Sequence, residues 1–166
     1  MKTRILALVA LAAALAAPLP AAAPEYPGMG PDIYDVHADA GADIGAALAR
    51  ASRAHKRVLL DFGANWCIWC RRLHGTFGRN PGVSAELRRD YEVVMVDVNT
   101  RRGGKRNAAV NLRYGNPVRH GIPVLVVLGA DGRQLVTKDS GELEEGSGHS
   151  PAKIMAFLSA WAPPGR

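Results

Sequence analysis

Residues 58–70 read VLLDFGANWCIWC. The stretch opens on VLLDF, a continuous apolar run of the kind that forms a strand buried on both faces. It closes on Cys67 and Cys70, the only cysteines in the chain. A single C-x-x-C with no further cysteine to pair with leaves three uses open: a structural bridge, a redox-active pair, or part of a metal site.

The position of the pair weighs among these uses. The pattern predicts a helix from about Cys67 to His74, with Gly75 and Gly78 ending or kinking it. In the first turn of a helix, unpaired backbone N–H groups and the positive end of the dipole stabilise a thiolate, and the thiolate is the nucleophile. Cys70 lies on the same helical face, with Cβ atoms roughly 5–6 Å apart. A disulfide wants about 3.5–4.5 Å, so a modest local adjustment closes the bridge. As a staple it is weak, because closing a four-residue loop removes only ~2 kcal/mol of unfolded-state entropy, against ~3 for fifteen residues. As a metal site it is half complete. Structural zinc takes four ligands, and only His37, His55, His74, His120 and His149 are there to complete the set. Residue 71 is Arg, so the haem-attachment motif C-x-x-C-H is absent.

Working outward, the chain begins with Lys2 and Arg4, an apolar run over residues 5–17, and small residues and prolines up to Ala23. That is the layout of a secretory signal peptide, here residues 1–23. The apolar run is too short to span a bilayer, so no stable span is expected once the leader is removed. Outside the cytoplasm a disulfide forms and persists. The remaining ~140 residues suffice for one core. The chain carries 21 Lys and Arg against 15 Asp and Glu; without Lys2 and Arg4 the balance is 19 to 15, or +4. No basic stripe interleaved with aromatics appears, so nucleic acid is not an expected partner.

Residues 24–38, PEYPGMGPDIYDVHA, are Pro- and Gly-rich and read as an arm, with Ile33, Tyr34 and Val36 as a candidate short edge strand. Apolar residues at three-and-four spacing predict a helix over 39–55. Asn80-Pro81 starts a helix over 81–89. YEVVMVDV predicts a strand over 91–98, RRGGKR a basic loop over 101–106, and residues 107–114 a short helix. IPVLVVL predicts a strand over 122–128, the Ala130-Asp131-Gly132 turn a hairpin, and residues 133–138 its second strand. Ser150-Pro151 starts a last helix that runs to Trp161. The order α-β-α-α-β-α-β-β-α is that of an α/β domain over residues 39–162, followed by a short tail, 163–166. Strand–helix–strand units are expected to pair in parallel, with the hairpin as an antiparallel edge.

The segment resembles the thioredoxin active site, in which Asp-Phe precedes Trp-Cys-x-x-Cys. Asp61 stands six residues before Cys67, and Gly121-Ile122-Pro123 matches the Gly-Ile-Pro of that superfamily. WCIWCRRLHGTF, NPGVSAEL and VVMVDVN are similar to exported thioredoxin-like proteins related to the C-terminal domain of the thiol:disulfide interchange protein DsbD. The likeness runs from about residue 40 to 162 and implies a thioredoxin fold, a central mixed sheet of about four strands with helices on both faces. Two departures bear on redox tuning. Ile68-Trp69 replaces the Gly-Pro of thioredoxin, and Met95 stands where a lysine neighbours the buried aspartate.

The resemblance also implies roles. Cys67 is the attacking nucleophile, and Cys70 resolves the mixed disulfide. Asp61 takes the Cys70 proton through water; the plain alternative is a strand-end aspartate capping the next helix. Pro123 is cis, and the Ile122 backbone pairs with an extended substrate; the alternative is a trans proline opening an edge strand. Trp66, Ile68 and Trp69 form an apolar patch around an exposed Cys67 and contact protein substrates, against core packing as the alternative. His120 lies near the site or is a solvated side chain. RRGGKR docks an acidic partner or is a solvated loop. The expectation is a thiol–disulfide oxidoreductase, periplasmic or otherwise exported, acting as a reductase on protein disulfides. A separate thiol protein supplies its electrons, and no cofactor or metal is required. A copper-handling protein using the C-x-x-C with a histidine, and a binding module without turnover, are the rival readings.

Overall fold

The computed structural model describes residues 23–99, 101 and 105–165. The expected leader lies outside the described residues apart from Ala23, as do residues 102–104 of the basic loop and residue 166 of the tail.

Helix α1, Ala40–Ala54, starts where the Asp39 carboxylate accepts the N–H groups of Gly41 and Ala42. Ile44, Ala47 and Ala51 form its buried stripe. Strand β1, Arg57–Gly63, is buried along almost its whole length. Helix α2, Ile68–Arg79, runs past Gly75 and Gly78, which correct the expected end near His74. A helical glycine costs only ~1 kcal/mol, and Gly75 is buried beside the Arg79 guanidinium. The helix ends instead at Asn80, because the residue before a proline is pushed out of the helical region. Asn80 Oδ1 then accepts the Val83 N–H and opens helix α3, Pro81–Asp90.

Strand β2, Tyr91–Asp97, leads through helix α4, Ala108–Arg113, and a 3-10 turn at Pro117–His120 to strand β3, Val124–Leu128. Strand β3 starts two residues later than the apolar run predicts, since Pro123 has no N–H to give the ladder. Strand β4, Gln134–Asp139, completes the hairpin, with Gly132 at φ 81° in its turn. A 3-10 turn at Ser140–Leu143 and a two-residue pair, β5 (Glu144–Glu145) with β6 (Gly148–His149), occupy the stretch read as loop. Helix α5, Pro151–Trp161, closes the chain. Residues 33–36 form no strand, which corrects that expectation.

The main sheet has the order β2-β1-β3-β4. Strands β1 and β2 are parallel, from Arg57↔Tyr91 to Gly63↔Asp97. Strand β3 is antiparallel to β1, with Phe62↔Val124, so the second strand–helix–strand unit is not a parallel crossover as expected. The reason is where its strands meet. Strand β2 ends and β3 begins at the same end of the sheet, so β3 enters the sheet running opposite to β2. One face packs Val58, Leu60, Phe62, Val94 and Val126 against α1. The other packs Leu59, Leu125 and Val127 against Leu73, Phe77, Val83, Ile154 and Leu158 of α2, α3 and α5. Helices thus cover both faces, and the C-terminal end of β1 is left to carry chemistry. Among the described residues no helix is long and apolar enough to cross a membrane.

Candidate functional site

Cys67 sits just past the end of β1 as the N-cap of α2, in an extended conformation with φ −82° and ψ 108°. Cys70 lies in the first turn, and the two form a disulfide with Cα atoms 5.2 Å apart. An extended N-cap turns Cys67 out of the helical spiral, which brings its side chain back over Cys70. The Cys70 N–H points at Cys67 Sγ from 3.1 Å. Cys67 keeps 4% of its surface and Cys70 none, which corrects the expectation of an exposed Cys67. Trp66, Trp69 and Ile122 pack around the pair.

The segment before β3 meets the cysteines from the other side. The Ile122–Pro123 peptide bond is cis, and the Ile122 carbonyl oxygen lies 3.6 Å from Cys67 Sγ. Pro123 is buried, and its carbonyl accepts the Ser140 hydroxyl. Between the two segments runs a groove lined by Trp66, Cys67, Ile68, Trp69, Val118, Gly121 and Ile122, with Arg101 beside them. Ile68 is 49% exposed. Trp66 is half-buried; its indole N–H donates to Asn99 Oδ1 at 3.2 Å, and the Arg101 guanidinium lies 3.9 Å from its ring. Trp69 has Arg72 over its face at 4.4 Å and meets the His149 ring edge-on at 5.7 Å.

The family model described as thioredoxin-like matches residues 39–130. The solved structure of a disulphide isomerase from Xylella fastidiosa Temecula1 is 39% identical over 78% of this chain and 95% of that one, with a TM-score of 0.68. The chain belongs to the thioredoxin-like family. It is by that membership and its Cys67–Cys70 pair a thiol–disulfide oxidoreductase. The oxidised C-terminal domain of DsbD from Neisseria meningitidis shares the fold, at 23% identity over 75% of this chain and 97% of that one, TM-score 0.53. No curated protein matches.

Beneath the disulfide of this thioredoxin-like protein lies a polar interior. Asp61 is fully buried on β1, with Met95 and Leu125 as its in-register neighbours on β2 and β3. It caps no helix. Its Oδ1 accepts the Tyr34 hydroxyl at 3.1 Å. Burial pushes the Asp61 carboxyl up to about 7, while the Tyr34 hydrogen bond pulls it down. Burial also raises the Tyr34 phenol well above its ordinary value, with the Asp61 charge adding to that.

Tyr34 comes from the segment read as a loose arm, and the arm is locked in place. Asn65 Oδ1 accepts the N–H groups of Ile33 and Tyr34, both at 2.9 Å, and Asn65 Nδ2 donates to the Tyr34 carbonyl. Arg71 bridges the Asn65 and Pro31 carbonyls. Glu25 receives Arg106 at 2.6 Å, and Arg106 also reaches Asp97. None of Tyr34, Asn65 or Arg71 was singled out for the site from the sequence. The available signal was Ile33-Tyr34, an apolar pair inside an otherwise Pro- and Gly-rich run.

The predicted residues Asp61, Trp66, Cys67, Ile68, Trp69, Cys70, Ile122 and Pro123 all come to this one end of the sheet. His120 is exposed, and its Nε2 accepts from Arg119. His74 is exposed on α2. Among the described residues, no three His, Cys, Asp or Glu side chains are grouped to hold a metal ion.

Proposed function

We propose that the protein is an exported reductase of protein disulfides, cycling its Cys67–Cys70 pair through a mixed disulfide. The observation that carries this reading is a bridged pair at a helix start, between an apolar groove and a buried carboxyl with a pKa near 7. In the reduced protein Cys67 attacks. The N-terminal end of α2 and the Cys70 N–H at 3.1 Å favour its thiolate. An extended substrate segment lies along Ile122 and pairs with its backbone, while Trp66, Ile68 and Trp69 contact its side chains. Cys70 then attacks Cys67 Sγ, Asp61 takes the Cys70 proton, and reduced substrate leaves. A separate thiol protein returns electrons to the pair. The leader read in residues 1–23 supports export and a periplasmic location.

Isomerisation is a second reading, favoured by the description of the 39%-identical Xylella protein as a disulphide isomerase. The reduction potential separates the readings. Equilibration with glutathione or dithiothreitol, read by thiol alkylation, is expected to give about −230 mV or lower for a reductase. A value near −180 mV, with recovery of activity from scrambled ribonuclease, selects the isomerase. A value near −120 mV, that of a strong oxidant, overturns both.

A further inference from the structure

Tyr34 is fully buried, yet it carries a polar hydroxyl into the least solvated part of the site. A buried hydroxyl without a partner costs free energy, and this one donates to Asp61 Oδ1 at 3.1 Å. The other carboxylate oxygen, Oδ2, is buried and has no hydrogen-bond partner among the described residues. Gly63 locates the third member. A Cβ built there collides with the Tyr34 hydroxyl and comes within 2.9 Å of Cys70 Sγ. The phenol and the resolving sulfur therefore share the space over Gly63, next to Asp61 on the same strand face.

We infer that Tyr34 is a positioning residue for the resolving step: it occupies Oδ1 of Asp61, fixes the carboxylate, and reserves Oδ2 for the Cys70 proton. This rests on the reading of Asp61 as the acceptor of that proton. The step balances as follows. The Cys70 thiol gives its proton to Asp61 Oδ2, and Cys70 Sγ bonds to Cys67 Sγ. The bond from Cys67 to the substrate sulfur breaks. Its electron pair leaves on that sulfur, which takes a proton from solvent. Asp61 later releases its proton to solvent. The dithiol is oxidised and the substrate disulfide reduced.

The arm is tied down on both sides of the phenol. Asn65 grips the Tyr34 backbone from both sides and Arg71 ties Pro31, so the hydroxyl has little freedom to swing away. Besides Asp61, two charged groups act on the Tyr34 phenol: Asp97 raises it and Arg71 lowers it. Cys70 and Arg71 face the pair from α2, Asp97 from β2, and the neighbours Met95 and Leu125 are uncharged. Burial raises the Asp61 carboxyl and Tyr34 lowers it, so losing the hydroxyl moves the carboxyl further up.

The test follows the second thiolate released when the reduced protein reacts with dithionitrobenzoate. The first release forms the mixed disulfide at Cys67, and the second reports the attack of Cys70. In the parent protein the rate of the second phase is expected to inflect near pH 7. In Tyr34→Phe the inflection moves up by about one pH unit, the size of one lost hydrogen bond to a charged group. At pH 7 the second phase then slows about fivefold, as that shift dictates. In Asp61→Asn the inflection disappears. If Tyr34→Phe follows the parent while Asp61→Asn loses the inflection, the role of Tyr34 is overturned and that of Asp61 stands. If both follow the parent, the reading of Asp61 falls first. Should Tyr34→Phe unfold in the assay, 3-fluorotyrosine placed at position 34 keeps the fold and strengthens the donor. It is expected to move the inflection down, and an unmoved inflection overturns the inference.

Discussion

The two sides of the disulfide invert the usual rules of burial in opposite directions. On the groove side, Ile68 stands half in solvent and Trp66 and Trp69 are only partly covered. On the inner side, Asp61, Tyr34 and Asn65 are buried polar groups. Exposed apolar groups and buried polar groups are the informative exceptions in a folded protein. Here a single bridge lies between the two kinds. The groove suits an apolar, extended partner, and its cost is surface that water covers poorly. The inner pocket suits a proton, and its cost is a carboxyl that resists ionising. In the proposed mechanism, binding and proton handling fall to opposite faces of the same two sulfurs.

The strongest way to break this comparison is to remove one sulfur. Cys67→Ser is expected to abolish disulfide reduction, while Cys70→Ser traps substrate as a mixed disulfide on Cys67, seen by mass spectrometry as a reducible adduct. An adduct on Cys70 in the Cys67→Ser protein, at similar yield, erases the distinction between the faces.

Asp61→Asn sharpens the inner side. General acid–base assistance is worth on the order of 100-fold or more, so turnover near neutral pH is expected to fall by about that factor. Stability moves the other way. The folded carboxyl titrates at about 7 against an ordinary 3.8. Between those values the native state keeps a proton that the unfolded chain has released. The stability this contributes is whole below about pH 3.8 and is lost as pH rises through 7. The Asn variant suffers no such loss. Relative to the parent it should gain stability from pH 4 to pH 8, by up to about 4 kcal/mol, in urea unfolding at the two pH values. An equal gap at both would mean that the pocket is better solvated than its burial implies.

Ile68→Ser probes the groove with the smallest expected effect. Its side chain is 49% exposed, so stability should change by only about 0.5 kcal/mol. KM for a protein substrate should rise a few-fold, with no change in the pH at which the resolving step inflects. A change in that pH would couple the two faces.

Much of this site was legible before any coordinates. VLLDF reads as a buried strand because its apolar run is continuous, and Asn80-Pro81 marks a helix start because proline fits only there. Cys67 and Cys70 follow from spacing at the start of one helix, a local relation, while Asp61 was reached through the thioredoxin resemblance. Ile122 joined them only through the Gly-Ile-Pro resemblance, since its approach to Cys67 is a tertiary contact across β3. The arm was not legible. Residues 24–38 have no periodicity, and their order comes from Asn65, Arg71 and Arg106, each 31 or more residues away from its partner in the arm. The antiparallel placement of β3 was missed for a related reason: nothing local in residues 98–123 says at which end of the sheet the chain turns back.

The most direct measurement is the alkylation rate of each cysteine in the reduced protein, mapped by peptide mass spectrometry across pH. The account predicts that Cys67 reacts first, while Cys70, fully buried in the oxidised protein, reacts far more slowly. Equal rates for the two, or a faster Cys70, would contradict it.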